Sequence, residues 1–299
     1  MLGLLNLDKP AGVTSRDAVN RVQGILRRRA REAGRRAKEA EKVGHAGTLD
    51  PIATGVLVLC VGSATRLIEH VQRLPKSYRG TFLLGRRSPS DDVELPAEPL
   101  PDAPIPTLAE IEAALPAFVG DLQQVPPAYS AIKIAGQKAY DLARRGDAPE
   151  MPPRVVTIHS LAVARYEYPE LVLDLTCGSG TYVRAIGRDL AAALGTAAVM
   201  SELRRTRIGP FHAESATPLD AIDDSSLNGF LLPAGDAVAN LPRIDVSTAE
   251  IAALRDGRFL ARPDAPAGAE LAAFCPAGEL VALLKPRSGG RLQPARNFS

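Results

Sequence analysis

"GHAGTLDPIATGVL", residues 44–57, sets one carboxylate, Asp50, among glycines, small residues and apolar residues. The stretch is not a phosphate-cradling loop, since GxxxxGK[ST] is absent and no lysine follows Gly47. Nor does it read as a metal site, because only His45 stands close and a metal wants further ligands. Taken locally, an acid before proline is a turn or cap residue, and a histidine near glycines hydrogen-bonds the backbone. The apolar run that follows, "GVLVLCVG", predicts a buried strand opened by the Asp50 loop.

Downstream, "SATRLIEHVQRL" predicts a helix. "KSYRGTFLLG" alternates and places Tyr78, Gly80, Phe82 and Leu84 on one face of a strand. Upstream, Ala18, Val19, Val22, Ile25 and Leu26 fall at helical spacing behind Ser15 as N-cap, with Gly34 as a weak point. Residues 88–107 hold six prolines and five acids, so they are expected to form a loop or mobile excursion. "TLAEIEAALPAF" predicts a helix, and a short helix ended by Gly146 follows. "LAVARYEY" and "LVLDLTCGSG" predict paired strands, and "TYVRAIGRDLAAALG" a helix closed by Gly195. After "LRRTRIGPF" the chain turns acidic, helical or irregular. From Arg243 onward, short apolar pieces cut by Gly and Pro predict a small β-rich module with a boundary near 235–243.

Composition bounds the class. The chain has 299 residues, 45% hydrophobic and 23% charged, as in a soluble globular protein. Its longest apolar run, 56–61, is too short to span a bilayer, and "MLGLLNLDKPAG" lacks the basic start of a signal peptide. Cys60, Cys177 and Cys275 form no CxxC pair, which points to a reducing compartment; a cytoplasmic location is expected. Net charge is only +2 but unevenly spread. Residues 1–50 hold eleven Lys or Arg against six acids, whereas 201–299 hold eleven against twelve. The densest run, "RRRAREAGRRAKEAEK" at 27–42, fits a solvated helix with i,i+4 pairs or a basic arm for nucleic acid.

Singly, Tyr78 reads as core and Arg184 as a surface charge at a helix start. Together the blocks say more. "KPAGVTS" at 9–15, "KVGHAGTLDPIATGVL" at 42–57, "KSYRGTFLLG" at 76–85, "QVPPAYSAIKIAGQKAYDLARRG" at 124–146, "CGSGTYVRAIGRDLAAALG" at 177–195 and "LRRTRIGPF" at 203–211 closely resemble the TruB family of tRNA pseudouridine synthases. The resemblance covers about residues 2–212. It implies the pseudouridine synthase α/β fold of the α+β type: a mixed, mainly antiparallel sheet with flanking helices, plus a small β-rich C-terminal domain. The catalytic domain is then 1–238, with 27–42 a basic insert and 88–107 a mobile loop. Residues 239–299 become a PUA-like or related RNA-binding domain.

The resemblance also implies isomerisation of uridine 55 in the tRNA T-loop to pseudouridine, by base flipping and an aspartate nucleophile. Asp50 matches that aspartate, Tyr78 the tyrosine stacked on the base, and Arg184 the arginine paired with the aspartate. His45, Tyr182 and Leu203 match positions that contact the flipped nucleotide or pack around it. For the RNA backbone, Lys133, Lys138, Arg204, Arg205 and Arg207 are the candidates. The reaction moves no electrons and transfers nothing to water, so no cofactor and no metal are expected. The nucleophile must stay ionised; desolvation opposes this and a guanidinium favours it. The expected partner is the T-arm of tRNA, with no membrane, no protein partner and a monomeric enzyme. The rival readings are a guide-RNA-directed synthase and a tRNA-folding chaperone in which binding matters more than catalysis. One block departs from the family: "RRSPSDDVEL" replaces a segment rich in threonine, aspartate and glycine.

Overall fold

Apolar residues at every position of 56–61 suit a strand covered on both faces, and Thr54–Gly62 is that strand. The computed structural model describes residues 2–298 apart from Ala131, Ala135, Ala148 and Ala267, with only the backbone of Lys133 and Lys138. Two compact units divide the chain. One holds Met1–Asp50, Val56–Leu74 and Gly209–Ser299, the other Pro51–Gly55 and Pro75–Ile208. Among the described residues no helix is long and apolar enough to cross a membrane.

In the first unit Thr54–Gly62, from residue 56 on, neighbours Leu2–Lys9. Leu2–Lys9 takes Thr217–Pro218 in parallel on its other side, and Val43–His45 pairs antiparallel with Thr54–Gly62. Helix Ser15–Glu32 buries the five residues that the spacing selects, with Ala30 added. Its N-cap is Thr14, not Ser15. The Thr14 hydroxyl accepts from the Asp17 N–H at 3.1 Å and the Asp17 carboxylate from the Thr14 N–H at 3.0 Å, a reciprocal capping box. The helix continues through 27–32, so part of the expected insert is regular structure. There Arg29 is bonded to Asp224 and, at 2.8 Å, to Asn228. Gly34, at φ +71°, closes the helix, and the mostly exposed residues 33–40 follow. Gln23 ends that excursion: its amide donates to the Glu41 carbonyl at 2.8 Å and accepts from the Val43 N–H at 3.1 Å.

The acidic stretch resolves into the short 3-10 turns Leu219–Ala221, Leu227–Phe230 and Ala234–Val238. A five-stranded sheet follows, in the order Arg243–Asp245, Leu271–Phe274, Leu280–Arg287, Arg291–Asn297, Leu260–Ala261. It has its own core, including Val246, Leu254, Leu271, Leu284 and Leu292. Burial of each such aliphatic side chain contributes about 1.5–3 kcal/mol.

The second unit is an antiparallel sheet in the order Ala198–Ile208, Lys76–Leu84, Glu170–Cys177, Arg154–Glu167, Gly120–Gln124. Residues 54 and 55 lie parallel to Ala198–Ile208, opposite Arg204 and Arg205. At Gly55, φ +96°, an added Cβ would stand 2.2 Å from the Arg205 carbonyl oxygen, so only glycine fits. Helix Val183–Ala193 lies against the Tyr78 strand, with Phe82 filling the space where Gly187 has no side chain. Residues 88–107 are largely irregular, as expected, but Glu98–Pro99 pairs antiparallel with Arg86–Arg87 and the first part is not a loose excursion. The Met200 N–H donates to the Asp91 carbonyl at 3.0 Å and the Val93 N–H to the Met200 carbonyl at 3.1 Å. Backbone pairing thus fixes 91–93 along the strand Ala198–Ile208.

Candidate active site

Asp50 stands at the end of a tightly specified segment of the first unit. His45 lies opposite Leu59, and the Ala46 N–H donates to the Val58 carbonyl at 2.9 Å. Gly47 then turns the chain at φ +119°, where side chains are rarely tolerated. Gly44 has another reason to be small. A Cβ there would stand 2.7 Å from Ile68 Cδ1, so packing against Ile68 fills the space beside it. Leu49 is buried and Asp50 half-buried. Ser15 Oγ accepts from the Leu49 N–H at 2.9 Å and donates to the Leu49 carbonyl at 3.1 Å.

The second unit assembles Arg184 with two of the quoted blocks. Arg184 is 5% exposed and Asp92 0% exposed. Arg184 Nη1 donates to Asp92 Oδ2 at 2.8 Å and to the Ser90 carbonyl at 2.9 Å, while Nη2 donates to the Tyr129 carbonyl at 2.9 Å. The surface-charge reading of this arginine therefore fails. Asp92 is satisfied on its other oxygen as well, by Ser90 Oγ at 2.6 Å and the Glu94 N–H at 3.1 Å. One turn along the helix, Arg188 repeats the arrangement with Asp91 at 2.8 Å and the Val125 carbonyl at 2.8 Å. Burial pushes the Asp91 carboxyl up and the Arg188 charge opposes it.

Tyr182, the N-cap of that helix, has its backbone held by a side chain. Buried Gln124 accepts from the Tyr182 N–H at 2.9 Å and donates to its carbonyl at 3.1 Å. The Tyr182 ring has the Arg154 guanidinium 4.7 Å and the Arg184 guanidinium 5.9 Å from its centroid. Tyr78 is buried, opposite Leu175 on one neighbouring strand and Arg205 on the other; Leu203 lies opposite Gly80. The second unit thus brings Tyr78 and Leu203 onto adjacent strands and Tyr182 beside Arg184. Asp50 and His45 belong to the first unit.

Two buried cations lie along the same strands. Arg205 is 1% exposed, which removes it from the expected backbone-contact set, because an interior guanidinium offers no surface to a phosphate. Arg204 and Arg207 are half-buried, and the side chains of Lys133 and Lys138 lie outside the described residues. Lys76, two residues before Tyr78 and on its face, is also buried. Desolvation pushes its ammonium down to about 8, the Arg205 charge acting in the same sense and Cys177 opposing. A lysine lowered on folding leaves the unfolded chain with more bound protons from about pH 8 to 10.4, so its contribution to stability rises with pH there. Urea titrations at pH 7.5 and 10 are expected to shift the difference between wild type and Lys76→Met toward the wild type by about 2 kcal/mol. A difference that stays flat removes the buried-cation account.

Comparison with known proteins follows these blocks. Residues 35–183 match the TruB family pseudouridylate synthase (N terminal domain), 184–239 the tRNA pseudouridylate synthase B C-terminal domain, and 241–299 the tRNA Pseudouridine synthase II, C terminal. The tRNA pseudouridine synthase B of Caulobacter vibrioides is 40% identical, over 99% of this chain and 96% of its own. That of Streptomyces coelicolor is 40% identical over 96% and 94%. The chain belongs to the TruB family. Among solved structures it is similar to a Cbf5–Nop10–Gar1 complex, with TM-score 0.74 and 26% identity over 99% of this chain and 85% of that one. Family and fold make it an RNA-isomerising enzyme, a pseudouridine synthase.

Within this TruB chain, sequence reasoning missed Asp92, Gln124 and the role of Ser15. Asp92 was hidden in a proline-rich stretch, in an acidic run that read as a solvated loop. Thr14 and Asp17 have capping-box spacing, which already released Ser15 from the cap.

Proposed function

We propose that this enzyme converts uridine 55 in the T-loop of tRNA to pseudouridine, with Asp50 as nucleophile. The observation that carries the reading is Asp50 itself. It ends the G-H-A-G-T-L-D-P block at the family's catalytic position, in a chain similar along nearly its whole length to tRNA pseudouridine synthase B. The bond from the ribose C1′ to N1 breaks, the base turns, C1′ bonds to C5, the C5 proton leaves and N1 gains one. Asp50 holds the detached fragment covalently in between. Tyr78 takes the flipped base on its ring, offsetting lost stacking by about 1–3 kcal/mol. Arg184 supplies the counter-charge assigned to the aspartate, and His45, Tyr182 and Leu203 bound the nucleotide. Arg204, Arg207, Lys133 and Lys138 take the phosphates, with a C-terminal RNA-binding module from 239. The enzyme acts as a cytoplasmic monomer.

A guide-directed reading draws on the likeness to the Cbf5 complex, but the identity to proteins named tRNA pseudouridine synthase B is the higher, 40% against 26%. Incubation with an unmodified tRNA transcript, without guide RNA, followed by carbodiimide–primer extension decides. A single new stop at uridine 55 is expected. Tight binding with no stop overturns the reading and transfers it to a guided synthase or a chaperone.

A further inference from the structure

The block KPAGVTS has no part in the reaction as drawn so far, yet its last residue holds the chain beside Asp50. Ser15 is 3% exposed. Its hydroxyl bonds both backbone groups of Leu49, 34 residues away in sequence, at 2.9 and 3.1 Å. The Leu49 carbonyl belongs to the peptide group that joins Leu49 to Asp50, so the hydroxyl fixes the plane from which Asp50 extends. On the other side, Pro51 restricts Asp50 to extended conformations. Ser15 is itself held. Lys9 Nζ donates to the carbonyls of Pro10 at 2.9 Å and Val13 at 2.6 Å, shaping the loop, and the Thr14–Asp17 box fixes the first helical turn.

We infer that Ser15 is a positioning residue for the Asp50 carboxylate and that the KPAGVTS loop is its mount. The inference rests on Asp50 being the nucleophile. A hydroxyl that only steadied the helix would change melting temperature and leave the rate of the folded enzyme alone. One that aims a nucleophile changes the rate constant at saturating enzyme and leaves tRNA affinity alone.

The test is single-turnover isomerisation and tRNA binding with Ser15→Ala, Ser15→Thr, Thr107→Ala and Asp50→Asn, below each variant's melting temperature. Ser15→Ala is expected to be slower by about 10²-fold, the effect of a misplaced reacting group, with affinity unchanged. Ser15→Thr, which keeps the hydroxyl, returns most of the rate. Thr107→Ala, which removes the cap of helix Leu108–Ala114 and leaves the KPAGVTS loop intact, melts earlier with an unchanged rate. Wild-type rate in Ser15→Ala beside an inactive Asp50→Asn overturns the inference and leaves the nucleophile in place. Ser15→Thr as slow as Ser15→Ala overturns it too. An active Asp50→Asn overturns the reading beneath it. If Ser15→Ala does not fold, Ser15→Cys, close in volume and weak in hydrogen bonding, is judged by the same criteria.

Discussion

Asp50→Asn is expected to bind unmodified tRNA as the wild type does and to form no pseudouridine, a loss on the order of 10⁵-fold in the single-turnover rate. The amide has the shape of the carboxylate and none of its nucleophilicity. Backbone geometry at this position is set by Gly47, the Ser15–Leu49 bonds and Pro51, all of which remain. The variant is also chemically clean. An asparagine reverts to aspartate through attack by the following backbone N–H, and proline at 51 has none. Residual isomerisation above that level therefore reports another nucleophile and refutes the assignment. The same variant separates chemistry from folding assistance: a chaperone role survives it, and a purely catalytic role does not.

Asp92→Ala is expected to cost about 3–5 kcal/mol, because it removes the carboxylate bonded to a guanidinium in the interior. Both partners are almost without solvent contact, so water cannot take the carboxylate's place, and added salt gives no compensation. Arg184, Ser90 and the Glu94 N–H each lose a bond to that carboxylate at once. Ser90→Ala is the internal comparison. It removes one hydrogen bond to the same carboxylate and is expected to cost about 1 kcal/mol. The chain has no tryptophan, so urea titration followed by circular dichroism measures both. Equal losses in the two variants would show that the ion pair contributes nothing beyond one hydrogen bond. Because Arg184 also holds the Tyr129 carbonyl, Asp92→Ala is expected to lower activity in the protein that remains folded.

Elements with a repeating pattern were legible in the sequence. The strand at Thr54–Gly62, the helix behind KPAGVTS and the Tyr78 strand follow from burial that alternates or recurs within one element. The strand Ala198–Ile208 was not foreseen, because Arg204, Arg205 and Arg207 obscure its alternation and Arg205 points inward. What a polar side chain bonds to across 34, 58 or 92 residues of chain has no local signature. Ser15 therefore read as a cap, Gln124 carried no role, and Asp92 passed as part of a loop. Asp50, Tyr78 and Arg184 were proposed from the order of blocks; the groups that hold Arg184 and the Asp50 backbone emerge only in the fold.

The bonds of Gln23 to residues 41 and 43 separate the excursion 33–40 from the segment that ends in Asp50. For gene fusion this is a socket. Lengthening a loop whose ends are already joined costs only about 0.6 kcal/mol per doubling, and exposed turns accept foreign sequence best. A reporter domain spliced after Gly34 leaves the Ser15–Leu49 bonds and the aspartate untouched.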